Sequence, residues 1–217
     1  QVCTMAVWAR GLTLALALCA PPVFAVELNP LRWMNVQKIT TAMIANNVPA
    51  GSRVVELTDT VDPRSLSLYE QPGPVLLCSL NLGDTSLLDA AATRARVQCE
   101  YRLWQPPSSL LDTLPDQEVD VIVAHRIFHA VYDGKEFDHI LDFAQERLVR
   151  GGRLVWIEPD ETCSISDAVT RRWRKAFPKA EIFTDGEEGL DLGVAVKPMK
   201  EVKNRGGKKK AAKGFGR

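Results

Sequence analysis

Short apolar runs separated by polar turns recur along the chain, and helical patterns lie between several of them. The runs at 75–80 and 119–124 are apolar apart from Ser79 and Asp120, which is typical of strands buried on both faces, and 53–57 is predicted to be a short buried strand. Residues 96–103 alternate apolar and polar side chains, and residues 153–157 follow a pair of glycines. Strands spaced by helical segments predict an α/β domain with one mostly parallel sheet.

Residues 134–150 have the clearest amphipathic helical pattern, with acids early and Arg147 and Arg150 late, as the helix dipole favours. We expect Gly151-Gly152 to end this helix in the C-terminal capping position. Longer helices are also predicted at 30–46 and 166–177. Shorter ones are predicted at about 63–69, 85–93 and 108–114.

The end of the domain has a different pattern, in which two strand-like runs flank turn residues. Residues 179–183 and 190–196 lie on either side of Asp185-Gly186 and Gly189, which predicts a closing antiparallel pair. The fold class that follows is α/β, a Rossmann-like doubly wound, mostly parallel sheet with a C-terminal antiparallel hairpin.

The first 25 residues have the pattern of a targeting segment. Arg10 precedes an apolar run at 12–20, and Val23-Phe-Ala25 places small residues at a cleavage site. The run is shorter than the roughly 20 residues that a membrane span needs, so no transmembrane span is expected in the mature chain. The segment predicts an exported or organellar protein, secreted, periplasmic or in a plastid thylakoid lumen. A membrane anchor formed by residues 5–25 is the alternative.

The charges of the chain are unevenly distributed, although 27 basic and 27 acidic residues balance overall. Residues 197–217 hold nine Lys or Arg and one acid, whereas residues 26–196 hold 17 basic and 26 acidic residues. We therefore predict a targeting segment at 1–25, one domain at 26–196 and a basic disordered tail at 197–217. The tail has two interpretations, contact with an anionic partner or a solvated segment without function.

Few residues have the spacing of a metal or redox site. The five cysteines are scattered and form no C-x-x-C pair, so no metal site is predicted. His125 and His129 are four residues apart after the fourth strand and are candidates for acid–base work. The acids at 158, 160 and 161 are interpreted as a solvated loop and helix start. The basic helix at 166–177 is either an anion-binding face or a solvated helix whose aromatic residues pack on the sheet.

Two stretches carry a resemblance to a known family. They are the strand and turn at 51–63, and Val119–His129 together with Gly151-Gly-Arg-Leu-Val. Over about 47–196 the chain resembles class I S-adenosylmethionine (SAM)-dependent methyltransferases of the methyltransferase type 11-like group. In that family an acid in the first strand is followed by three glycines. Here the acid is Glu56, and the glycine positions are taken by Thr58, Thr60 and Asp62.

The resemblance also implies positions for the rest of a SAM site. The family's ribose-binding acid at the end of the second strand corresponds to Ser79, or to Asn81 in a shifted register, and neither is acidic. The acid near the adenine amine is missing after the third strand, where Trp104 is a candidate to stack on the base. His129 matches a histidine that many small-molecule members carry.

Two functions follow from this resemblance. The altered positions favour a methyltransferase-like protein with weak or lost SAM binding, which acts as a binding or assembly module for an unidentified small molecule or protein partner. The alternative is an active SAM-dependent small-molecule methyltransferase, with SAM as its cofactor and with His125 and His129 near the substrate.

The targeting segment gives the first testable prediction. Cleavage after Ala25 produces a mature chain that begins at Val26, because the small residues at the end of the segment suit a signal peptidase. N-terminal sequencing of protein isolated from its native source checks this. Recovery of a chain that still contains Leu14 contradicts it.

Overall fold

The computed structural model describes residues 30–69, 73–132, 134–159 and 164–199. Its strands are β1 Val54–Thr60, β2 Val75–Asn81, β3 Cys99–Leu103, β4 Val119–His125, β5 Leu148–Pro159, β6 Ile182–Glu187 and β7 Leu190–Val196. Its helices are α1 Pro30–Asn47, α2 Thr85–Ala95, α3 Leu110–Thr113, α4 Ile127–Val131, α5 Glu136–Arg147 and α6 Ile165–Ala176, and Ser65–Leu68 forms a 3-10 turn. The predicted targeting segment and residues 200–217 lie outside the described part. None of the described helices is long and apolar enough to span a membrane.

All seven strands belong to one sheet, in the order β3-β2-β1-β4-β5-β7-β6. Strands β1 to β5 pair in parallel, and β7 runs antiparallel to both β5 and β6. The predicted fold class is therefore confirmed, including the C-terminal antiparallel hairpin.

Alternate side chains of the central strands enter two separate cores. On one face, Leu57, Ile122 and Trp156 pack with residues of α3 to α6. On the other face, Val123 and Val155 pack with residues of α1, α2 and the 3-10 turn. Because both faces are covered, most side chains of these strands are apolar, which explains the apolar runs in the sequence.

The first strand continues further than its apolar run. It extends to Thr60, and its end pairs with β2 through Thr58 opposite Ser79 and Thr60 opposite Asn81. The polar turn predicted directly after Leu57 is therefore wrong, since backbone pairing with β2 continues where the apolar side chains stop. The helix predicted at 63–69 is reduced to the single turn Ser65–Leu68.

The glycine pair before β5 has another role than the predicted one. Helix α5 ends at Arg147, and β5 already begins at Leu148. Gly151-Gly152 therefore lies within the strand, where Gly151 has a φ of 79°. The Gly151 amide donates to the Lys197 carbonyl at 2.8 Å, and the Lys197 amide donates to the Gly152 carbonyl at 2.9 Å. A Cβ on Gly152 would lie 2.9 Å from the Val149 carbonyl oxygen. The glycines permit this close backbone approach and do not cap a helix.

The packing of β7 on β5 gives a prediction about stability. A Cβ at Gly193 would overlap the indole of Trp156, which is fully buried, so Gly193→Ala is expected to lower the free energy of unfolding by about 1–3 kcal/mol. Gly186→Ala on β6 is the matched control, because its new Cβ would lie 3.9 Å from its nearest neighbour. Urea denaturation of both variants measures the difference, and equal midpoints would contradict the packing.

Candidate functional site

The strand order reverses direction between β1 and β4, which creates a switch point at the middle of the sheet. From β1 the chain proceeds outward to β2 and β3, whereas from β4 it proceeds to β5 on the other side. In open α/β sheets, ligands bind in the crevice beyond the carboxyl ends of the strands at such a point. Thr58 pairs with His125 there, so the ends of β1 and β4 define the candidate site.

Glu56 is buried and bonded within the chain. Its Oε2 accepts hydrogen bonds from the Tyr69 hydroxyl at 2.8 Å and from the Ser65 hydroxyl at 3.3 Å. Its Oε1 lies 3.8 Å from Nδ1 of His125. Burial and the nearby Glu56 carboxylate hold the pKa of Tyr69 well above its usual value. The carboxylate thus fastens the 3-10 turn and Tyr69 to β1.

Thr58, Thr60 and Asp62, which the resemblance assigns to glycine positions, differ in their surroundings. Thr58 is buried, and its hydroxyl donates to the Thr60 carbonyl at 3.0 Å. Thr60 is exposed at the end of β1. Asp62 accepts a hydrogen bond from the Arg64 amide at 2.9 Å and forms an ion pair with its guanidinium. A threonine side chain therefore occupies the space that a glycine would leave open beside β1.

At the end of β2, Ser79 is fully buried and its hydroxyl contacts backbone groups only. Its Oγ lies 2.8 Å from the Asn81 carbonyl and 3.2 Å from the Asp59 carbonyl, and it accepts from the Asn81 amide at 3.1 Å. Asn81 is exposed, and its Oδ1 accepts from the Gly83 amide at 3.0 Å. Of the two candidate ribose positions, only Asn81 presents a side chain to solvent.

Trp104 lies in the core. It is 1% exposed, packs within the same apolar cluster as Leu110, and donates from Nε1 to the Ser108 carbonyl at 2.7 Å. Its indole has no open face on which a base could stack in this conformation.

Two charged residues that the sequence analysis did not select span the crevice. Asp59 follows Thr58 in β1, and Arg126 follows β4 with a φ of 60°. Arg126 donates to Oδ2 of Asp59 at 3.1 Å, and Oδ1 of Asp59 accepts from the Thr60 amide at 2.6 Å. The available sequence signal was the presence of opposite charges at the ends of two neighbouring strands.

The two candidate histidines belong to different elements. His125 is the last residue of β4 and is 22% exposed, whereas His129 is exposed on α4. They therefore do not share one face of a helix, as the spacing of four had suggested. Among the described residues, no cluster of three or more His, Cys, Asp and Glu side chains is arranged to hold a metal ion.

Glu158 at the end of β5 holds α4 in place. It is fully buried, and its carboxylate accepts three backbone hydrogen bonds at 3.0 Å, from the amides of Ile127, Phe128 and His129. The interpretation of residue 158 as part of a solvated acidic loop is wrong, because the first amides of α4 need an acceptor and β5 supplies one. The helix itself was also missed, since its five residues are too few for a periodic pattern.

Three solved structures that match this fold are methyltransferases. An O-methyltransferase family protein from Burkholderia thailandensis matches with a TM-score of 0.55 at 12% identity, over 79% of this chain and 57% of that chain. The N-methyltransferase NodS from Bradyrhizobium japonicum WM9, in complex with S-adenosyl-L-homocysteine, matches with 0.51 at 15% identity, over 86% and 97%. A methyltransferase from Pyrococcus furiosus matches with 0.51 at 11% identity, over 74% and 82%.

This chain has the methyltransferase fold. At these identities the similarity establishes the fold alone, because the same fold supports many functions. Neither the family models nor the curated protein sequences include a match. The chemistry of this methyltransferase-fold protein therefore has to be argued from its own side chains.

The buried Glu158 carboxylate makes the stability of the fold depend on pH. Burial raises the pKa of Glu158 to about 8, the three amides act in the opposite direction, and Asp59 adds to the rise. The folded state therefore binds more protons than the unfolded state between the ordinary pKa of about 4.5 and about 8. The free energy of unfolding must fall as the pH rises through this window.

We expect the free energy of unfolding to fall by about 3 kcal/mol between pH 5.5 and pH 8.5, since one pKa unit corresponds to about 1.4 kcal/mol. Urea denaturation at several pH values measures the slope. The Glu158→Gln variant is expected to be less stable at every pH, because its side-chain amide cannot accept the third hydrogen bond. Its free energy of unfolding should also lack the part of the pH dependence that Glu158 contributes. A slope that is unchanged in the variant would assign the pH dependence to groups other than Glu158.

Proposed function

We propose that this protein is a methyltransferase-fold binding or assembly module whose SAM site is weakened or lost. The observation that carries the proposal is Ser79, one of the two positions to which the resemblance assigns the family's ribose acid, which is buried with its hydroxyl bonded to backbone groups of Asp59 and Asn81. A buried serine in that state offers the ribose neither a charge nor a free acceptor. The residues of this chain therefore do not fit the cofactor in the family's manner.

Approximate free energies indicate which feature of the crevice weakens SAM binding most. A hydrogen bond to a charged group is worth about 1.5–3 kcal/mol, so loss of the ribose acid alone weakens binding by roughly tenfold to a hundredfold. The ion pair between Asp59 and Arg126 contributes less, because the Arg126 side chain is 59% exposed and such pairs are worth about 0–1 kcal/mol. The missing contacts, more than the ion pair across the crevice, support weak SAM binding.

The Glu56 carboxylate is also engaged by hydrogen bonds within the chain. Its carboxylate already accepts from Tyr69 and Ser65, and it is 1% exposed. Redirecting it to a ligand would leave the buried Tyr69 hydroxyl without its acceptor, which costs about 1–3 kcal/mol. The acid that the family pattern retains is therefore committed to holding the chain together.

The alternative is an active SAM-dependent small-molecule methyltransferase. It is supported by the fold, which NodS shares in a complex with S-adenosyl-L-homocysteine, and by His129, which is exposed on a helix whose backbone Glu158 anchors. Positioning and desolvation would be the protein's contributions, because SAM supplies the reactive methyl group. Under this alternative, His129→Ala reduces turnover while the fold is retained.

The proposal also covers where this protein is located and what it binds. We propose an exported or organellar protein, with membrane anchoring through residues 5–25 as the alternative, and a small molecule or another protein as the partner of the module. The support is the charge and hydrophobic pattern of residues 5–25, together with a domain whose SAM contacts are reduced.

Calorimetric titration of the full chain with SAM tests the proposal. We expect a dissociation constant of about 1 mM or weaker, because the losses above move a micromolar ligand into that range. Asn81→Asp should bind SAM at least about tenfold more tightly, because it adds a carboxylate at an exposed position and keeps the bond from the Gly83 amide. Asn46→Asp adds the same charge at the end of α1 and should change nothing.

Two results would contradict this expectation in different ways. Micromolar binding by the unmodified chain would overturn the proposal and favour the enzyme. Equal affinities of the Asn81→Asp and Asn46→Asp variants would show that the missing acid is not the cause of weak binding.

A further inference from the structure

Strand β3 forms one edge of the sheet. Within the described part of the chain it pairs with β2 alone, so its outer side has no neighbouring strand. The side chains of Glu100, Arg102 and Leu103 are exposed along it. An edge of this kind presents backbone groups with which another strand can pair.

The hydrogen bonds to β2 show which backbone groups of β3 face outward. The Val75 amide donates to the Gln98 carbonyl at 2.9 Å, and the Trp104 amide donates to the Ser79 carbonyl at 2.8 Å. The even-numbered residues from 98 to 104 therefore face β2, because the backbone groups of successive strand residues point to opposite sides. Three residues direct their amides and carbonyls to the open side: Cys99, Tyr101 and Leu103.

The two charged side chains of β3 are paired with each other. Glu100 and Arg102 lie on the same face of the strand, and Nη2 of Arg102 is 3.8 Å from Oε2 of Glu100. Charges on an edge strand commonly prevent pairing with another chain, because most alignments bring like charges together. Whether this pair opposes or favours a second strand therefore depends on the register.

One antiparallel register of two β3 strands brings opposite charges together. If the pairing is centred on Tyr101, Glu100 of each copy lies opposite Arg102 of the other. These are positions without mutual backbone bonds, where the Cα atoms are about 4.5 Å apart and side chains interact most closely. The outward residues can then exchange about six backbone hydrogen bonds. Registers centred on Glu100 or on Arg102 instead place like charges directly opposite each other.

We propose that two copies of this chain associate through β3, antiparallel about a twofold axis at Tyr101, so that their sheets join. The surface is self-complementary, as a twofold interface requires, and it keeps the ion pair within each copy. Leu103, which is 43% exposed, then lies beside Cys99 of the second copy. This inference goes beyond the proposed function, because it concerns an edge strand and does not depend on SAM affinity.

The opposite edge of the sheet suits a second copy less well. Strand β6 also has an open side within the described part, and its Phe183 is 64% exposed. Its charged residues are Asp185 and Glu187, and residues 182–187 contain no Lys or Arg. No register of two β6 strands can therefore oppose unlike charges, and like charges opposite each other destabilise pairing.

Sedimentation velocity of the full chain at about 5 to 500 µM tests the proposal, since a small interface of this kind gives a weak dimer. We expect a reversible monomer–dimer equilibrium in this range. Glu100→Arg and Arg102→Glu should each weaken self-association at least about tenfold, because each brings like charges opposite one another twice in the dimer. An equimolar mixture of the two variants should associate at least as strongly as the unmodified chain, since a basic strand then faces an acidic one.

Two further variants distinguish this register from a general effect of charge. Glu100→Arg/Arg102→Glu exchanges the two charges and should restore self-association. Glu187→Arg makes the same charge reversal on β6 and should leave it unchanged. The proposal is overturned if the unmodified chain stays monomeric, if Glu187→Arg weakens association as much as Glu100→Arg does, or if the mixed variants do not associate. SAM titrations should be the same for all these variants, so a failure here is distinct from a failure of the proposed function.

Discussion

Buried polar groups at the carboxyl edge of the sheet have to find partners within the chain, and the candidate site is shaped by this constraint. Glu56, Ser79 and Glu158 are each at most 1% exposed at or near the ends of neighbouring strands. An unpaired buried polar group costs about 1–3 kcal/mol, and more if it is charged. Each of the three therefore bonds to a neighbouring element, Glu56 to Tyr69 and Glu158 to the amides of α4. The bonds that complete the fold thus engage the buried polar groups at this edge.

The sequence predicts the fold well because the fold depends on apolar patterns. Runs such as 75–80 and 119–124 are mostly apolar because both of their faces are covered, and this identifies central parallel strands without any knowledge of their partners. The site is predicted less well because its contacts are between residues far apart in the chain. Glu158 caps a helix that begins 31 positions earlier, and no local pattern announces that pairing. The true ends of β1 and β5 were missed for a related reason, since backbone pairing with a neighbour continues beyond the apolar residues.

The fold of this chain says less about its function than the side chains at its candidate site do. Structural matches at 11–15% identity establish a methyltransferase fold, and a fold alone does not determine a reaction. The reaction has to be argued from how the residues are engaged at the positions that the resemblance assigns to a SAM site. Ser79 and Glu56 are bonded internally, while the exposed ion pair from Asp59 to Arg126 is too weak to close the crevice by itself. We infer weak SAM binding from the missing contacts, and single substitutions can restore these contacts one at a time.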